Sequence, residues 1–239
     1  REEIGDKYGI ATSLNNIGLI YKDQGDYAKA IDYYTRSLKI NEEIEDKIGI
    51  ANSLNNIGLT YYKQGDLAKA IGYHTRSLKI SEEIGYKKGI AASLNNIGAI
   101  YYDQGDYAKA IDYYTKSLKI REKIRDKSGI STSLNNIGAI YYEQGNYTKA
   151  LKKSTKALSI AQKIGNVLNI QKASKNLWEI NKKLGKHSQA LEMHELYIEM
   201  RDSILSIENK TATIQQGFKY EYEKEQALAD AKHNELMKI

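Results

Sequence analysis

The chain has 239 residues, a net charge of +6, and neither cysteine nor proline. Without cysteine there is no disulfide framework, thiolate metal site or thiol nucleophile, and either redox compartment stays open to it. The basic residues are interleaved with acidic ones (Lys39, Glu42, Glu43, Asp46, Lys47), which describes a solvated surface, so no nucleic-acid partner is expected. No stretch approaches the length of a transmembrane helix, and no charged-then-apolar signal segment opens the chain.

The six residues Ser-Leu-Asn-Asn-Ile-Gly begin at Ser13, Ser53, Ser93 and Ser133, always forty residues apart. A fixed period of this size marks an array in which each unit buries its apolar face only against its neighbours. The run from Arg1 to Ile10 matches Ser81 to Ile90, the end of a later unit. The chain is therefore expected to be a piece of something longer. Residues 1–8 are read as a partial unit, followed by about five helical hairpins to residue 205.

In the first full unit, Ile10, Leu14, Ile17 and Tyr21 step by four, three and four, one apolar stripe along a helix. Gln24-Gly25-Asp26 interrupts it. Gly25 suits the left-handed residue that closes a helix, and Asp26 suits the cap of the next. The second helix buries Tyr27, Ala30, Ile31, Tyr34 and Leu38, with Ile44 near its end. Gly18 and Ala30, small residues in apolar stripes, predict close approach of the two helices. Units two to four repeat this plan. The fifth keeps Gly185 and Ala190 but places Trp178 where the others have Gly, Asn181 where they have Tyr, and His187 and His194 at the two aromatic positions of the second helix. Trp cannot permit the approach that Gly allows, so packing is expected to change there, as in the terminal unit of a solenoid.

Beyond Ser206 the period is lost. Ile214, Phe218, Tyr222, Ala229 and Leu236 suit an amphipathic helix over 206–239, either a cap on the last repeat or the start of a coiled coil. With no hairpin before them, Ile4, Ile10 and Leu14 are expected to be exposed, and open solenoid ends favour end-to-end self-association.

The spacing Leu14-x-x-Ile17-Gly18-x-x-Tyr21 followed by Ala30-x-x-x-Tyr34 resembles the tetratricopeptide pattern of Trp-x-x-Leu-Gly-x-x-Tyr, Ala-x-x-x-Phe and a closing Pro. The Pro is missing and the period exceeds the usual one of about 34 residues by roughly one and a half helical turns. The second helix is expected to run on through Glu42-Glu43-Ile44 instead of stopping at a Pro, which is similar to the forty-residue variant of the Pins/LGN adaptor proteins. The resemblance implies an all-α, right-handed superhelical solenoid with a peptide-binding concave groove. The segment from Phe218 to His233 resembles the linker between tetratricopeptide arrays and a membrane helix in bacterial signalling proteins. That likeness alone suggests membrane attachment; residue composition leaves the compartment unknown.

In such arrays the first-helix stripe opposite the core lines the groove. Here it carries a ladder of Asn16, Asn56, Asn96, Asn136 and Asn176, flanked by Asn15, Asn55, Asn95 and Asn135. It resembles the asparagine ladder of the O-GlcNAc transferase superhelix, where such side chains grip a peptide main chain. An amide offers both donor and acceptor, as a peptide bond does. The same residues can equally bond neighbouring helices and fix the repeat geometry. Tyr62, Tyr102 and Tyr142 lie on the same stripe as candidate stacking surfaces or as scaffold. Lys172, Lys175, Lys182 and Lys183 of the fifth unit are candidate contacts for an acidic end of a ligand, or a solvated edge.

His187 and His194 share a helical face, but no carboxylate completes a ligand set, so no metal or cofactor is expected. No nucleophile elbow, phosphate-binding glycine loop or zincin motif occurs. The expectation is a non-enzymatic scaffold that binds a protein or an extended peptide, as the sensing or adaptor part of a larger signalling protein. The alternative is a structural solenoid that stacks end to end without a peptide ligand.

Overall fold

A computed structural model describes the backbone of residues 2–236 and the side chains of residues 7–211. The described residues form ten helices and no strand: α1 (Glu2–Asp23), α2 (Tyr27–Glu43), α3 (Lys47–Lys63), α4 (Leu67–Glu83), α5 (Lys87–Asp103), α6 (Tyr107–Lys123), α7 (Lys127–Glu143), α8 (Tyr147–Lys163), α9 (Val167–Lys183) and α10 (His187–Leu236). From α2 to α9 every helix has 17 residues. Three-residue turns join them, and the forty-residue period is thus divided equally between the two helices of a hairpin.

The turns form as their residues dictate. Gly25 adopts φ +80°, and the Asp26 carboxylate accepts the Lys29 N–H at 3.2 Å to cap α2. The second turn of each unit closes at Ile44, Ile84, Ile124 or Ile164. Inside each hairpin the small residues set the distance between helices. A Cβ on Gly18 would meet the Tyr34 ring at 2.8 Å, and one on Gly58 would meet the His74 ring at 2.9 Å. Ala30, Ala70, Ala110 and Ala150 are fully buried on the facing helix.

Each second helix is shared between two first helices. Ala30, Tyr34 and Leu38 of α2 pack with Ile50, Leu54 and Ile57 of α3, and Tyr114 and Leu118 of α6 pack with Leu134, Ile137 and Ile140 of α7. First helices of successive hairpins also touch (α1 with α3, α3 with α5, α7 with α9), whereas second helices make no comparable contacts with each other. The first helices therefore lie on the inner, concave side of the stack. The fold is the all-α solenoid of antiparallel hairpins that the period implies.

Both ends depart from the internal pattern. The backbone of α1 stays helical through Ile4-Gly5-Asp6, where the equivalent Ile84-Gly85-Tyr86 turns. Ile10 and Ile17 are exposed, but Leu14, expected to be open with them, is buried at 8% because α1 and its own partner helices enclose it. Ile17 is 37% exposed while Ile57, Ile97 and Ile137 are at 1–3%. In the fifth hairpin Trp178 occupies the space that Gly leaves elsewhere, with its ring 4.2 Å from His194 and 6.2 Å from Tyr197, centroid to centroid. The helix α10 runs without a break past residue 205, so the start of the C-terminal segment falls inside a continuous helix. The side chains of Ile4 and of the 212–239 stripe lie outside the described residues. No helix among the described residues is long and apolar enough to cross a membrane.

Candidate functional site

The asparagines of the inner face are joined across the repeats. The Nδ2 of Asn56 donates to Asn15 Oδ1 at 3.3 Å, Asn96 to Asn55 at 3.0 Å, Asn136 to Asn95 at 3.3 Å and Asn176 to Asn135 at 2.9 Å. The second asparagine of each unit thus spends one amide hydrogen on the first asparagine of the unit before. For Asn56, Asn96 and Asn136 the Oδ1 and the other hydrogen make no bond to a described residue, whereas Asn176 Nδ2 also donates to the Asn135 carbonyl at 3.3 Å; all four side chains are half-exposed. The first asparagine goes deeper. Asn135 is buried, and Asn15 donates to Ser37 and Ser53 at 2.7 and 3.1 Å.

Tyr62, Tyr102 and Tyr142 are half-buried along the same face. The Tyr62 hydroxyl donates to Asp103 of the next unit at 2.5 Å, and burial followed by this bond raises its pKa well above that of free tyrosine. Tyr102 is pushed up to about 12, first by burial and then by Glu143 of the following unit. Tyr102 and Tyr142 also lean on Tyr107 and Tyr147, at 5.8 and 5.7 Å between ring centres. The rings thus pack within their own hairpins, and the Tyr62 hydroxyl reaches the next repeat.

Lys172, Lys175, Lys182 and Lys183 are all exposed. Lys182 lies over the Trp178 ring at 5.0 Å and 4.0 Å from Glu179. Partial desolvation, then the like charge of Lys63 on α3, lowers the pKa of Lys172 from the ordinary lysine value. The fifth hairpin and the second thus bring positive charge to bear on one stretch of the inner face. No group of three His, Asp or Glu side chains among the described residues is placed to hold a metal ion.

Three features were not anticipated from the sequence. A buried serine of each second helix bonds a first-helix carbonyl: Ser37 to Ala11, Ser77 to Ala51 and Ser117 to Ala91, at 2.7–2.8 Å. In the fourth hairpin the pair is reversed, and Ser131 donates to the Ala157 carbonyl at 2.8 Å. Near α1 and α3 the inner face opens into a polar cleft of about 360 Å³, lined by Tyr8, Thr12, Asn16, Asn41, Asp46, Ile48, Gly49 and Asn52 among others. Its signal in the sequence is variation at one place of an otherwise strict repeat, where Asn41 becomes Ser81, Arg121 and Ala161.

Stacked hairpins with first helices inward and a bonded asparagine file define a helical-repeat solenoid with a polar inner groove. The tetratricopeptide repeat family model matches residues 9–83, 49–123, 89–163 and 129–203, and the chain belongs to that family. Among solved structures it is similar to BtubC (BKLC) from P. vanneervenii, with 20% identity over 83% of this chain and 82% of that one, and a TM-score of 0.71. A Rap protein complexed with Competence and Sporulation Factor is 22% identical over 78% of this chain, with a TM-score of 0.70; the match spans 52% of that protein. A putative kinesin light chain of Podosopora anserina with nearly identical repeats matches at 14% identity over 81% of this chain and 95% of that one, with a TM-score of 0.60. No curated protein matches the chain.

Proposed function

We propose that this solenoid binds an extended segment of a protein or peptide along its inner face, as the sensing or adaptor part of a longer signalling protein. The observation that carries this reading is the asparagine file. Each of Asn56, Asn96 and Asn136 is held by one bond to the preceding repeat and keeps an acceptor and a donor for a ligand, while Asn176 donates to both oxygens of Asn135 and keeps its acceptor. A regular row of fixed amides is complementary to a peptide main chain. Each such bond contributes roughly 0.5–1.5 kcal/mol, so the file alone falls short of the about 8 kcal/mol of micromolar affinity. Side-chain pockets and charge supply the rest, with Lys172, Lys175, Lys182 and Lys183 facing an acidic end of the ligand. The Rap protein with its bound factor supports the reading by fold likeness only. The helix beyond residue 205 is taken as a linker to the remainder of such a protein.

A second reading rests on a specific observation. Ile10 and Ile17 on α1, and Leu191 on α10 at 60%, leave apolar side chains open at both ends of the array. Copies stacked head to tail would cover them.

One experiment separates the two. Peptides displayed as a random library are selected against the wild-type chain, the Asn56→Ala, Asn96→Ala double variant, and a Ser117→Ala control that loses a bond away from the groove. The groove reading expects enriched peptides that the asparagine variant no longer holds and the control still does, with the array monomeric on sizing. Enrichment of nothing, together with size that grows with concentration, overturns it in favour of stacking.

A further inference from the structure

The cleft near α1 and α3 is built from one repeated position, and the other repeats show what that position accepts. Gly49 makes the notch. A Cβ there would lie 2.6 Å from both Asn41 Oδ1 and Asp46 Oδ2, so two acceptor oxygens converge on one point. Neither oxygen has a partner among the described residues; Asp46 caps α3 through its other oxygen, which accepts the Ile48 N–H at 3.1 Å. Asn41 itself is buried and is anchored by weak bonds from its Nδ2 to Ser37 and Ser53. Tyr8 and Ile48, 58% and 46% exposed, wall the same cleft.

At the equivalent places other side chains of the chain lie over the glycine. The Tyr86 ring and Ser81 lie over Gly89. Asn169 replaces the glycine beside Ala161, and its own side chain bonds the Ser128 carbonyl at 3.0 Å. Most informative is the fourth hairpin, where Arg121 Nη1 and Asp126 Oδ2 converge over Gly129. Asp126 is the counterpart of Asp46, and Arg121 takes the place of Asn41. The same position thus carries a guanidinium near its aspartate in the fourth hairpin, under the influence of that charge but without a direct ion pair, and an amide near its aspartate in the second.

We infer that the cleft formed by Asn41, Asp46 and Gly49 is a specificity pocket for a cationic side chain, arginine foremost, of the segment lying in the groove. A guanidinium carries only donors and matches two converging acceptors. The Tyr8 face suits a cation and Ile48 suits the aliphatic stem. The cleft lies at the N-terminal end of α3, away from Lys63 at its C-terminal end, which shares its stretch of the groove with Lys172. The pocket rests on the groove reading but is tested apart from it.

The probe is Nα-acetyl-arginine N-methylamide, titrated into the 239-residue chain and followed by heteronuclear NMR, with the citrulline analogue as its uncharged isostere. Saturable shifts are expected at Gly49 and at the Asn41 side-chain amide, with the citrulline analogue weaker by about tenfold or more. Asp46→Asn is expected to weaken the arginine probe similarly, while α3 keeps its cap, since Asn146 and Asn166 cap α8 and α9. Asn41→Arg, which recreates the fourth hairpin's arrangement, is expected to abolish binding with helicity intact. Equal binding of the two probes, shifts that avoid Gly49, or indifference to both substitutions overturns the pocket. Selected peptides with no basic residue would overturn it while leaving the groove. Arginine binding at Gly49 with no peptide ever selected would overturn the groove and leave the pocket.

Discussion

His74 shows how a single position within a strict repeat changes the chemistry of its hairpin. Its counterparts are Tyr34, Tyr114 and Ser154, and all four face a glycine of the first helix. The ring is fully buried, and its Nδ1 lies 2.9 Å from Asn55 Oδ1, an oxygen that also accepts from Asn96. Nδ1 therefore carries the hydrogen, and Nε2 stays a bare acceptor with no partner. Burial alone pulls the pKa down from 6.5 to about 4. The unfolded chain takes up this proton before the folded one does. The neutral ring thus favours the fold above pH 6.5, and that contribution drains away as pH falls to about 4. The loss approaches roughly 3 kcal/mol at the lower limit. Thermal melts of wild type and His74→Tyr between these pH values check it. The difference between the two is expected to widen in favour of the tyrosine variant on acidification, and a constant difference contradicts the assignment. The left-handed residues tell a related story. Gly85 and Gly165 hold the second turn at φ +67° and +64°, as a reader of sequence expects, but Glu45 and Arg125 adopt φ +55° and +57° at the same place. Repeat register places them there, against their own preference.

The hairpin is the unit in which most of the fold was legible. A forty-residue period, Gly25 with Asp26, and the pairing of Gly18 with Ala30 state two helices, a capped turn and a close crossing. Each has its physical counterpart in the caps and in the Cβ clashes that glycine avoids. The bonds between helices were not legible, because serine and alanine are both small and read alike in an apolar stripe. The fourth hairpin reveals them by exchange. Ser131 and Ala157 stand where the other hairpins have alanine and serine, and the bond survives with donor and acceptor helices swapped. Ser131→Ala is expected to cost about 1 kcal/mol by urea titration. Adding Ala157→Ser is expected to restore the loss; a double variant no more stable than the single one contradicts a specific inter-helix bond. The terminal hairpin follows the same logic. Trp178 takes the room of the missing close approach, and His194 and Tyr197 stack against it in place of a buried tyrosine.

At the scale of the molecule, repetition turns a local bond into a long surface. One asparagine donating to the previous repeat is a structural detail; four in register, from Asn56 to Asn176, order a file of amides along the concave side. The sequence reading left open whether these residues hold a ligand or each other. The geometry shows that the second asparagine of units two to five bonds the repeat before it and stays half-exposed. What remained illegible is the pairing itself, since a bond from residue 56 back to residue 15 depends on the rotation between stacked hairpins and not on local spacing. Variation then acts on this constant frame. Asn41, Ser81, Arg121 and Ala161 share one place in the fold and give four different notches. Exposed lysines gather in the fifth hairpin, where Lys175 replaces the first asparagine of the pair.

The central claim is that the inner asparagines meet the ligand. The most direct measurement follows the side-chain amide signals of Asn56, Asn96, Asn136 and Asn176 by NMR as a selected peptide is added. The account expects these four to shift together and saturate with the affinity measured for the whole chain, while signals of the outward faces of α4 and α6 stay in place. Unmoved asparagine amides beside shifts on those outer helices would contradict it.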